Sequence, residues 1–319
     1  MKTLPVANAH GRPVLTYRRF ARAGLLTSLA WLSACGPLRV IDVPAEVHTE
    51  RVDHLVLHFT GENFARSLQL LSERTQTPVS VHYLVPEGGD DSYPRRRLRI
   101  HRLVPEHRRA WHAGNSYWRG VTALNARSIG IEIVNRSRCD VDELPDDSLV
   151  RRADACTFRS FDEQQIELVI ELSRDILARN PGIDPEDVVA HADIAPNRRA
   201  DPGPLFPWRR LYEHGIGAWF DDSSRDQWLF RFADTPPAVA TVQRALRARG
   251  YDVAVTGTED TATWHAVQAF QMHFRPSDFS GEPDAETVAI LFALIEKYRP
   301  RLLAALLTDG EGNQTSSSG

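Results

Sequence analysis

The stretch that decides the fold is Asp53-His54-Leu55-Val56-Leu57-His58-Phe59, a β-prone run with the length of a buried strand. Further strands are predicted over 80–85, 98–104, 129–134 and 188–191. Helices are predicted over 62–74 and after the capping box Ser160-x-x-Glu163. Strands that alternate with helices predict an α/β fold, with a mixed central β-sheet flanked by helices.

The composition is that of a globular protein, with 319 residues, 42% hydrophobic and 25% charged. The formal net charge of −4 gives no reason to expect a nucleic-acid partner, because such binding needs clustered basic residues. No apolar run reaches the roughly 18 residues of a membrane span. The three cysteines are too few for a disulfide scaffold, and they contain no CxxC pair for a thiolate zinc site.

Residues 1–34 have the features of a secretory signal peptide, because five basic residues and no acidic one accompany a short apolar stretch. Leu32-Ser33-Ala34-Cys35 resembles the bacterial lipobox, in which the cysteine becomes the lipidated first residue of the mature protein. This predicts a lipidated tether over 35–49 and membrane attachment through Cys35. An ordinary signal peptide with an incidental cysteine is the alternative.

The same resemblance places the protein in the cell envelope. Gly36 favours the outer membrane, with the protein facing the periplasm. Arg18-Arg19-Phe20 leaves both the general and the twin-arginine export routes open. Removal of residues 1–34 leaves 285 residues with a formal net charge of −9, so the mature protein is acidic.

The C-terminal part predicts a second, smaller domain. The pattern breaks at 221–237, which is predicted to be a linker. Helical segments follow at 239–249, 261–273 and 284–298, and together they predict a three-helix module over 238–302. The Gly/Ser-rich residues 303–319 are predicted to be a disordered tail.

Two histidines at the ends of predicted strands are the candidate metal ligands. His58 ends the first strand, and His191 ends the last one and leads into a loop that contains Asp201. Two imidazoles and one carboxylate suit a catalytic zinc ion, because three protein ligands leave one coordination position open. Taken alone, a histidine on a buried strand is more often a packed core residue.

Five motifs occur in the order typical of one family. They are His58-Phe59-Thr60, Ser80-Val81-His82-Tyr83, Trp111-His112-Ala113-Gly114, Ser128-Ile129-Gly130-Ile131-Glu132 and His191-Ala192-Asp193 with Asp201-Pro202-Gly203-Pro204. Over residues 50–220 they resemble the type-2 zinc N-acetylmuramoyl-L-alanine amidases, which are related to peptidoglycan-recognition proteins. With the lipobox, the resemblance is strongest to the outer-membrane lipoprotein amidase of enterobacteria.

The resemblance implies a zinc amidase domain over 50–220, with Zn²⁺ bound by His58, His191 and Asp201. It also implies that Glu132 is the catalytic acid/base. A carboxylate near zinc-bound water can take its proton and deliver it to the departing amide nitrogen. The alternative for Glu132 is a solvated residue on an alternating strand.

The resemblance also implies a cation and a set of substrate contacts. Arg199 stands where the lipoprotein relatives have Lys, and it is predicted to stabilise the oxyanion, although Arg198 is an alternative for the residue that faces the metal. Tyr83, Trp111, His112 and Arg198 are the predicted substrate-binding residues. A buried tryptophan in the core is the alternative for Trp111.

The two remaining cysteines bracket a polar insertion that looks longer than in the enterobacterial relative. In an exported protein, Cys139 and Cys156 favour a disulfide. Two free surface thiols are the alternative.

The module over 238–302 resembles the peptidoglycan-binding module of cell-wall hydrolases, through Val242-Gln243-Arg244-Ala245-Leu246 and Val267-Gln268-Ala269-Phe270-Gln271. The chain is therefore predicted to be a monomeric zinc amidase that cleaves between the lactyl group of MurNAc and L-Ala of the stem peptide. Anhydro-muropeptides and intact sacculi are both candidate substrates. A non-catalytic peptidoglycan-recognition protein and a zinc peptidase acting within the stem are the alternatives.

Overall fold

Residues 47, 50–76, 78–139 and 156–311 are described by the structure, a computed structural model of the chain. The strands in them are β1 His54–Phe59, β2 Tyr83–Val85, β3 His101–Arg102, β4 Tyr117–Trp118, β5 Val121–Thr122, β6 Ser128–Ile133, β7 Arg138–Cys139, β8 Cys156–Thr157 and β9 Val188–Ala190. The α-helices are α1 Phe64–Ser72, α2 Glu163–Arg179, α3 His191–Ile194, α4 Trp208–Glu213, α5 Asp222–Phe232, α6 Val239–Arg249, α7 Thr261–Phe274, α8 Ala285–Tyr298 and α9 Pro300–Glu311. The predicted signal peptide and Cys35 lie outside the described residues.

A five-stranded sheet with the order β3-β2-β6-β1-β9 forms the centre of the N-terminal region, residues 50–220. The four strands β2, β6, β1 and β9 run parallel, and β3 pairs antiparallel with β2 at one edge. This confirms the predicted mixed sheet. Leu55, Val56 and Leu57 of β1 are fully buried, as expected for a central strand with neighbours on both sides.

The alternation of side chains along the strands separates the functional face of the sheet from its core face. Ile129 and Ile131 point toward the main apolar core, to which α2 contributes Ile166 and Val169. The opposite face carries His58 and Glu132, which are paired in register on β1 and β6. Helix α1 packs on that side, where Phe64 and Leu71 join a smaller apolar cluster with Leu84.

The helix boundaries differ from prediction at α2. Asp162, and not Ser160, is the N-cap, since its side chain accepts a hydrogen bond from the backbone N–H of Gln165 at 3.0 Å. The carbonyl of Ser160 instead accepts a bond from the side chain of Asn135 at 3.2 Å. An acidic N-cap satisfies the same free N–H groups that the predicted serine would have satisfied.

The C-terminal region has more helices than the three predicted ones. Helices α6, α7 and α8 lie where the sequence places them, but α5 occupies the predicted linker at 221–237. Trp228 and Phe232 of α5 pack against Phe292 of α8, with ring centroids 5.2 and 5.0 Å apart. The linker prediction was therefore wrong, because its two aromatic residues have a partner surface on α8.

The predicted disordered tail is helical as far as it is described. Helix α9 extends to Glu311, and Leu306 is buried in the core. Residues 312–319 lie outside the described residues. No helix in the described ranges is both long enough and apolar enough to cross a membrane.

Candidate active site

The three predicted metal ligands meet at the carboxyl ends of β1 and β9. His58 is the penultimate residue of β1, and His191 follows β9 directly as the first residue of α3. The two Nδ1 atoms are 3.0 Å apart, and each lies 3.1 Å from Oδ2 of Asp201. All three side chains are buried. Crevices at the carboxyl ends of parallel strands are the usual place for a ligand in such sheets.

The chemistry of this donor set fits a zinc ion. Tetrahedral zinc with bonds of about 2.0–2.1 Å to nitrogen and oxygen needs ligand atoms a little over 3 Å apart, close to the separations seen. Burial lowers the pKa of His191 to about 4, so the imidazole is neutral and can donate its lone pair. Although burial by itself raises the pKa of Asp201, His191 and His58 hold it far below its usual range. Asp201 is therefore a carboxylate.

A chain of hydrogen bonds fixes the tautomer of His58. Nε2 of His58 lies 3.0 Å from Nδ1 of His112, whose Nε2 lies 3.2 Å from the hydroxyl of Ser128. That hydroxyl donates to the carbonyl of Leu124 at 2.7 Å. Because the carbonyl of Leu124 only accepts, the Ser128 hydroxyl accepts from the Nε2–H of His112. Nδ1 of His112 then accepts from the Nε2–H of His58, which leaves Nδ1 of His58 unprotonated and free for a metal.

His112 consequently supports the proposed metal ligand His58; because it also lines the cleft, its contact with substrate stays a prediction. Both its ring nitrogens are bonded within the protein, and the residue is 8% exposed. Burial, together with the neighbouring imidazoles, holds the pKa of His112 well below its usual range. The ring lies against Gly130, where an added Cβ would come within 2.6 Å of Nδ1.

Glu132 is half-buried and lines the same cleft as His191 and Asp201. It pairs in register with His58 across β1 and β6, so both side chains leave the sheet on the same face. Its Oε2 has no hydrogen-bond partner among the described residues. Burial raises the pKa of Glu132 well above its usual range; the negative Asp201 adds to the rise and Arg199 opposes it. This is the environment of a carboxyl group that can hold a proton.

The structure separates the two candidate arginines. Arg199 is exposed and lines the cleft with Glu132. Arg198 turns away, and its guanidinium donates to the carbonyls of Ala113 and Asn115 at 2.5 and 2.6 Å. These N–H groups hold the loop that follows His112, and the contact of Arg198 with substrate stays a prediction.

Trp111 lies at the rim of the cleft and is 52% exposed, which excludes the alternative of a core tryptophan. The guanidinium of Arg109 lies 4.0 Å from its ring centroid. The rest of the rim includes an apolar wall that the motifs did not indicate, made of Leu70, Leu71 and Val79. The helical spacing of apolar residues could have predicted that the two leucines are on a helix, but it does not show that they line a cleft.

Tyr83 was wrongly predicted as a substrate contact, because it lies on the other face of the sheet. It pairs in register with Ile131, and its side chain joins the core on the side of α2. Its hydroxyl donates to Oε1 of Glu106 at 2.6 Å. Burial and this carboxylate raise the pKa of Tyr83 to about 12.

The remaining cysteines flank a segment outside the described residues. Cys156 is disulfide-bonded. The antiparallel pair β7–β8 places Cys139 directly opposite Cys156 in backbone register.

Comparison with known proteins finds a match for each of the two predicted parts of the chain. The profile of the N-acetylmuramoyl-L-alanine amidase family matches residues 48–204, and that of the peptidoglycan binding domain matches residues 235–291. The chain is 45% identical over 258 residues to the N-acetylmuramoyl-L-alanine amidase AmiD of Escherichia coli (strain K12), which covers 80% of this chain and 86% of that protein.

Solved structures agree as well. AmpDH3 from Pseudomonas aeruginosa superimposes with a TM-score of 0.73 and 41% identity, covering 82% of this chain and 99% of that one; it has also been solved with an anhydromuramic pentapeptide. E. coli AmiD, in complex with the substrate anhydro-N-acetylmuramic acid-L-Ala-D-gamma-Glu-L-Lys, gives a TM-score of 0.66 and 43% identity over 80% of this chain and 93% of that one. Sequence identity at this level over most of both chains shows that the protein belongs to the N-acetylmuramoyl-L-alanine amidase family.

Proposed function

We propose that this amidase hydrolyses the bond between the lactyl group of MurNAc and L-Ala of the stem peptide, using Zn²⁺ held by His58, His191 and Asp201. The observation that carries the proposal is the triangle of three ligand atoms, 3.0–3.1 Å apart, in the cleft that also holds Glu132. Relatives solved with anhydromuramyl peptides support a muropeptide substrate with an anhydro-sugar.

When bound, the zinc ion would polarise the scissile carbonyl and lower the pKa of a coordinated water to about 7. Glu132 accepts the proton of the attacking water at Oε2, the atom without a partner among the described residues. It then delivers this proton to the amide nitrogen of L-Ala, which must be protonated to leave. The guanidinium of Arg199 stabilises the negative charge that develops on the carbonyl oxygen. Trp111 offers a flat, exposed face to the sugar or peptide at the rim.

We further propose that residues 1–34 direct export and that acyl chains on Cys35 hold the protein at the outer membrane, facing the periplasm, as a monomer. Several acyl chains anchor stably because each buried CH₂ contributes about 0.8 kcal/mol. The disulfide-bonded Cys156, with Cys139 opposite it, supports an oxidising compartment and a Cys139–Cys156 pair. The module over 238–302 would bind peptidoglycan.

Metal analysis tests the zinc proposal. Purified protein is expected to contain one zinc ion per chain, to lose zinc and muropeptide hydrolysis together on treatment with a chelator, and to regain both when zinc is added. Full activity of the metal-free protein would contradict it. Incorporation of a labelled fatty acid into the wild type but not into Cys35→Ser tests the anchor separately.

A further inference from the structure

One edge of the amidase region has a strong positive charge that the proposed catalysis does not use. We call residues 95–109 the basic edge; they include β3, the antiparallel edge strand of the sheet. The segment contains seven exposed arginines and a single acidic residue, Glu106. The arginines are Arg95, Arg96, Arg97, Arg99, Arg102, Arg108 and Arg109. In a mature chain with a formal net charge of −9, such a concentration of positive charge stands out.

Among the described residues, no ion pair neutralises the charge of the basic edge. In the described ranges, no carboxylate lies within 4.0 Å of any of the seven guanidinium groups. Glu106 is already engaged by the hydroxyl of Tyr83 and by Arg179 of α2. Arginine side chains that are exposed and unpaired keep their full attraction for an external anion.

The proposed lipid tether joins the folded chain beside the basic edge. Arg51, close to the start of the described chain, donates from its side chain to the backbone carbonyl of Glu106. Fourteen residues lie between Cys35 and Glu50, and the fifteen Cα-to-Cα steps of a fully extended chain span at most about 50 Å. The covalent tether alone therefore restricts the basic edge to the neighbourhood of the anchoring membrane.

The module lies at the opposite end of the sheet. Strand β3 is one edge of the order β3-β2-β6-β1-β9, and β9 is the other. Helix α3, which follows β9, packs against α7 of the module. A basic edge on the membrane would therefore leave the module directed toward the peptidoglycan, on the far side of the protein.

We propose that the basic edge docks on anionic phospholipid headgroups of the membrane in which Cys35 is anchored. This inference rests on the proposed lipid anchor, which brings a membrane close to the basic edge. The attraction to that membrane comes from the arginines that have no ion-pair partner among the described residues. Basic side chains near an anionic surface attract it within a Debye length, and their contributions add. The acidic remainder of the protein is repelled by the same surface, so the two effects together orient the cleft and the module.

Vesicle binding tests the proposal with the anchor removed. The protein is the mature chain from residue 35 with Cys35→Ser, and the vesicles contain either phosphatidylethanolamine with phosphatidylglycerol or phosphatidylcholine alone. The test variant is Arg95→Ser/Arg96→Ser/Arg97→Ser, which changes no residue of the cleft. The charge-matched control is Arg231→Ser/Arg247→Ser/Arg301→Ser, on α5, α6 and α9 of the C-terminal helical region. Sedimentation with insoluble peptidoglycan is measured in parallel.

We expect the parent to bind the anionic vesicles at least about tenfold more tightly than the neutral ones, with affinity that falls as salt rises. The test variant should lose at least about tenfold of that binding but sediment with peptidoglycan like the parent, while the control retains the binding to anionic vesicles. Equal binding of parent and test variant to anionic vesicles would overturn the proposal. The proposal would also be overturned if the test variant lost binding to peptidoglycan but kept binding to anionic vesicles, since the basic edge would then be a polymer-binding surface. A failure to label Cys35 would refute the anchor and leave the vesicle preference intact.

Discussion

Gly130 shows how closely the proposed metal-binding residues are supported. The imidazole of His112 lies directly over it, and His112 in turn fixes the ring of His58 through a bond of 3.0 Å. A methyl group at position 130 would come within 2.6–2.8 Å of three atoms of that ring. The side chain of His112 would have to move, and the orientation of His58 would move with it.

We therefore predict that Gly130→Ala weakens zinc binding by about tenfold to a hundredfold, the usual effect of losing an outer-shell partner. Competition with a chromophoric chelator measures the affinity. Ile129→Val is the control, because it also changes one methyl group on β6 but on the core face of the sheet. Zinc affinity unchanged in Gly130→Ala would show that His112 does not position His58.

Glu132→Gln separates proton transfer from metal binding. Glutamine has nearly the same shape but cannot accept a proton from water, so kcat should fall by about 10²–10⁴. Zinc content should stay at the wild-type value, because Glu132 is not one of the three ligands. Wild-type turnover in this variant would remove Glu132 from the mechanism.

The motifs identified the residues at the site better than they identified each residue's role. The resemblance of the five motifs to one family was sufficient to predict that His58, Glu132, His191 and Asp201 lie together. The roles of Tyr83 and His112 depend on which face of a strand a side chain occupies and on which hydrogen-bond partner lies behind it. Those facts arise from strand register and from long-range contacts, which a motif does not contain.

Helix α3 connects the proposed metal site to the C-terminal module. It carries His191, and its buried Asp193 accepts hydrogen bonds from the hydroxyl of Tyr251 at 2.6 Å and from Nδ1 of His273 at 2.7 Å. Although burial by itself raises the pKa of Asp193, His273 and these donors hold it below its usual value. The module therefore holds in place the turn that presents His191, a proposed metal ligand.

A buried ion pair joins the same two regions. Glu186 is 2% exposed, and it accepts from Arg249 of α6 at 3.3 Å and from Arg299 at 2.6 Å. We predict that Glu186→Gln lowers the free energy of unfolding by about 3–5 kcal/mol, because it leaves the buried guanidinium of Arg249 without a charged partner. Denaturant titration measures this loss.

The control for this element is Glu163→Gln, which also breaks a Glu–Arg pair, but with a glutamate side chain that is 73% exposed. Exposed pairs contribute about 0–1 kcal/mol, so this variant should unfold almost like the wild type. Equal losses of unfolding free energy in Glu186→Gln and Glu163→Gln would mean that burial does not make the Glu186 pair more important for stability than an exposed pair.

At the scale of the whole molecule, the amidase region and the module share one apolar core. Leu55 and Ile131 of the sheet belong to the same buried cluster as Phe270 and Phe292 of the module. Trp118 of the amidase region packs edge-on against Tyr251, with ring centroids 5.0 Å apart. The sequence pattern suggested two domains with a linker, because the periodicity within α5 does not show that its aromatic residues face another helix.

We predict that the mature protein unfolds in one cooperative thermal transition, with equal calorimetric and van't Hoff enthalpies. A module attached only by a flexible linker would give two transitions instead. Two separate transitions in differential scanning calorimetry would contradict the shared core.

The most direct test of the central claim is the mass spectrum of the products released from anhydro-MurNAc-tripeptide by the zinc-loaded protein. The account predicts two products: the sugar with a free lactyl carboxylate, and an intact stem peptide that begins with L-Ala. A shortened peptide still attached to the sugar would identify a peptidase and contradict the account, as would an undigested substrate.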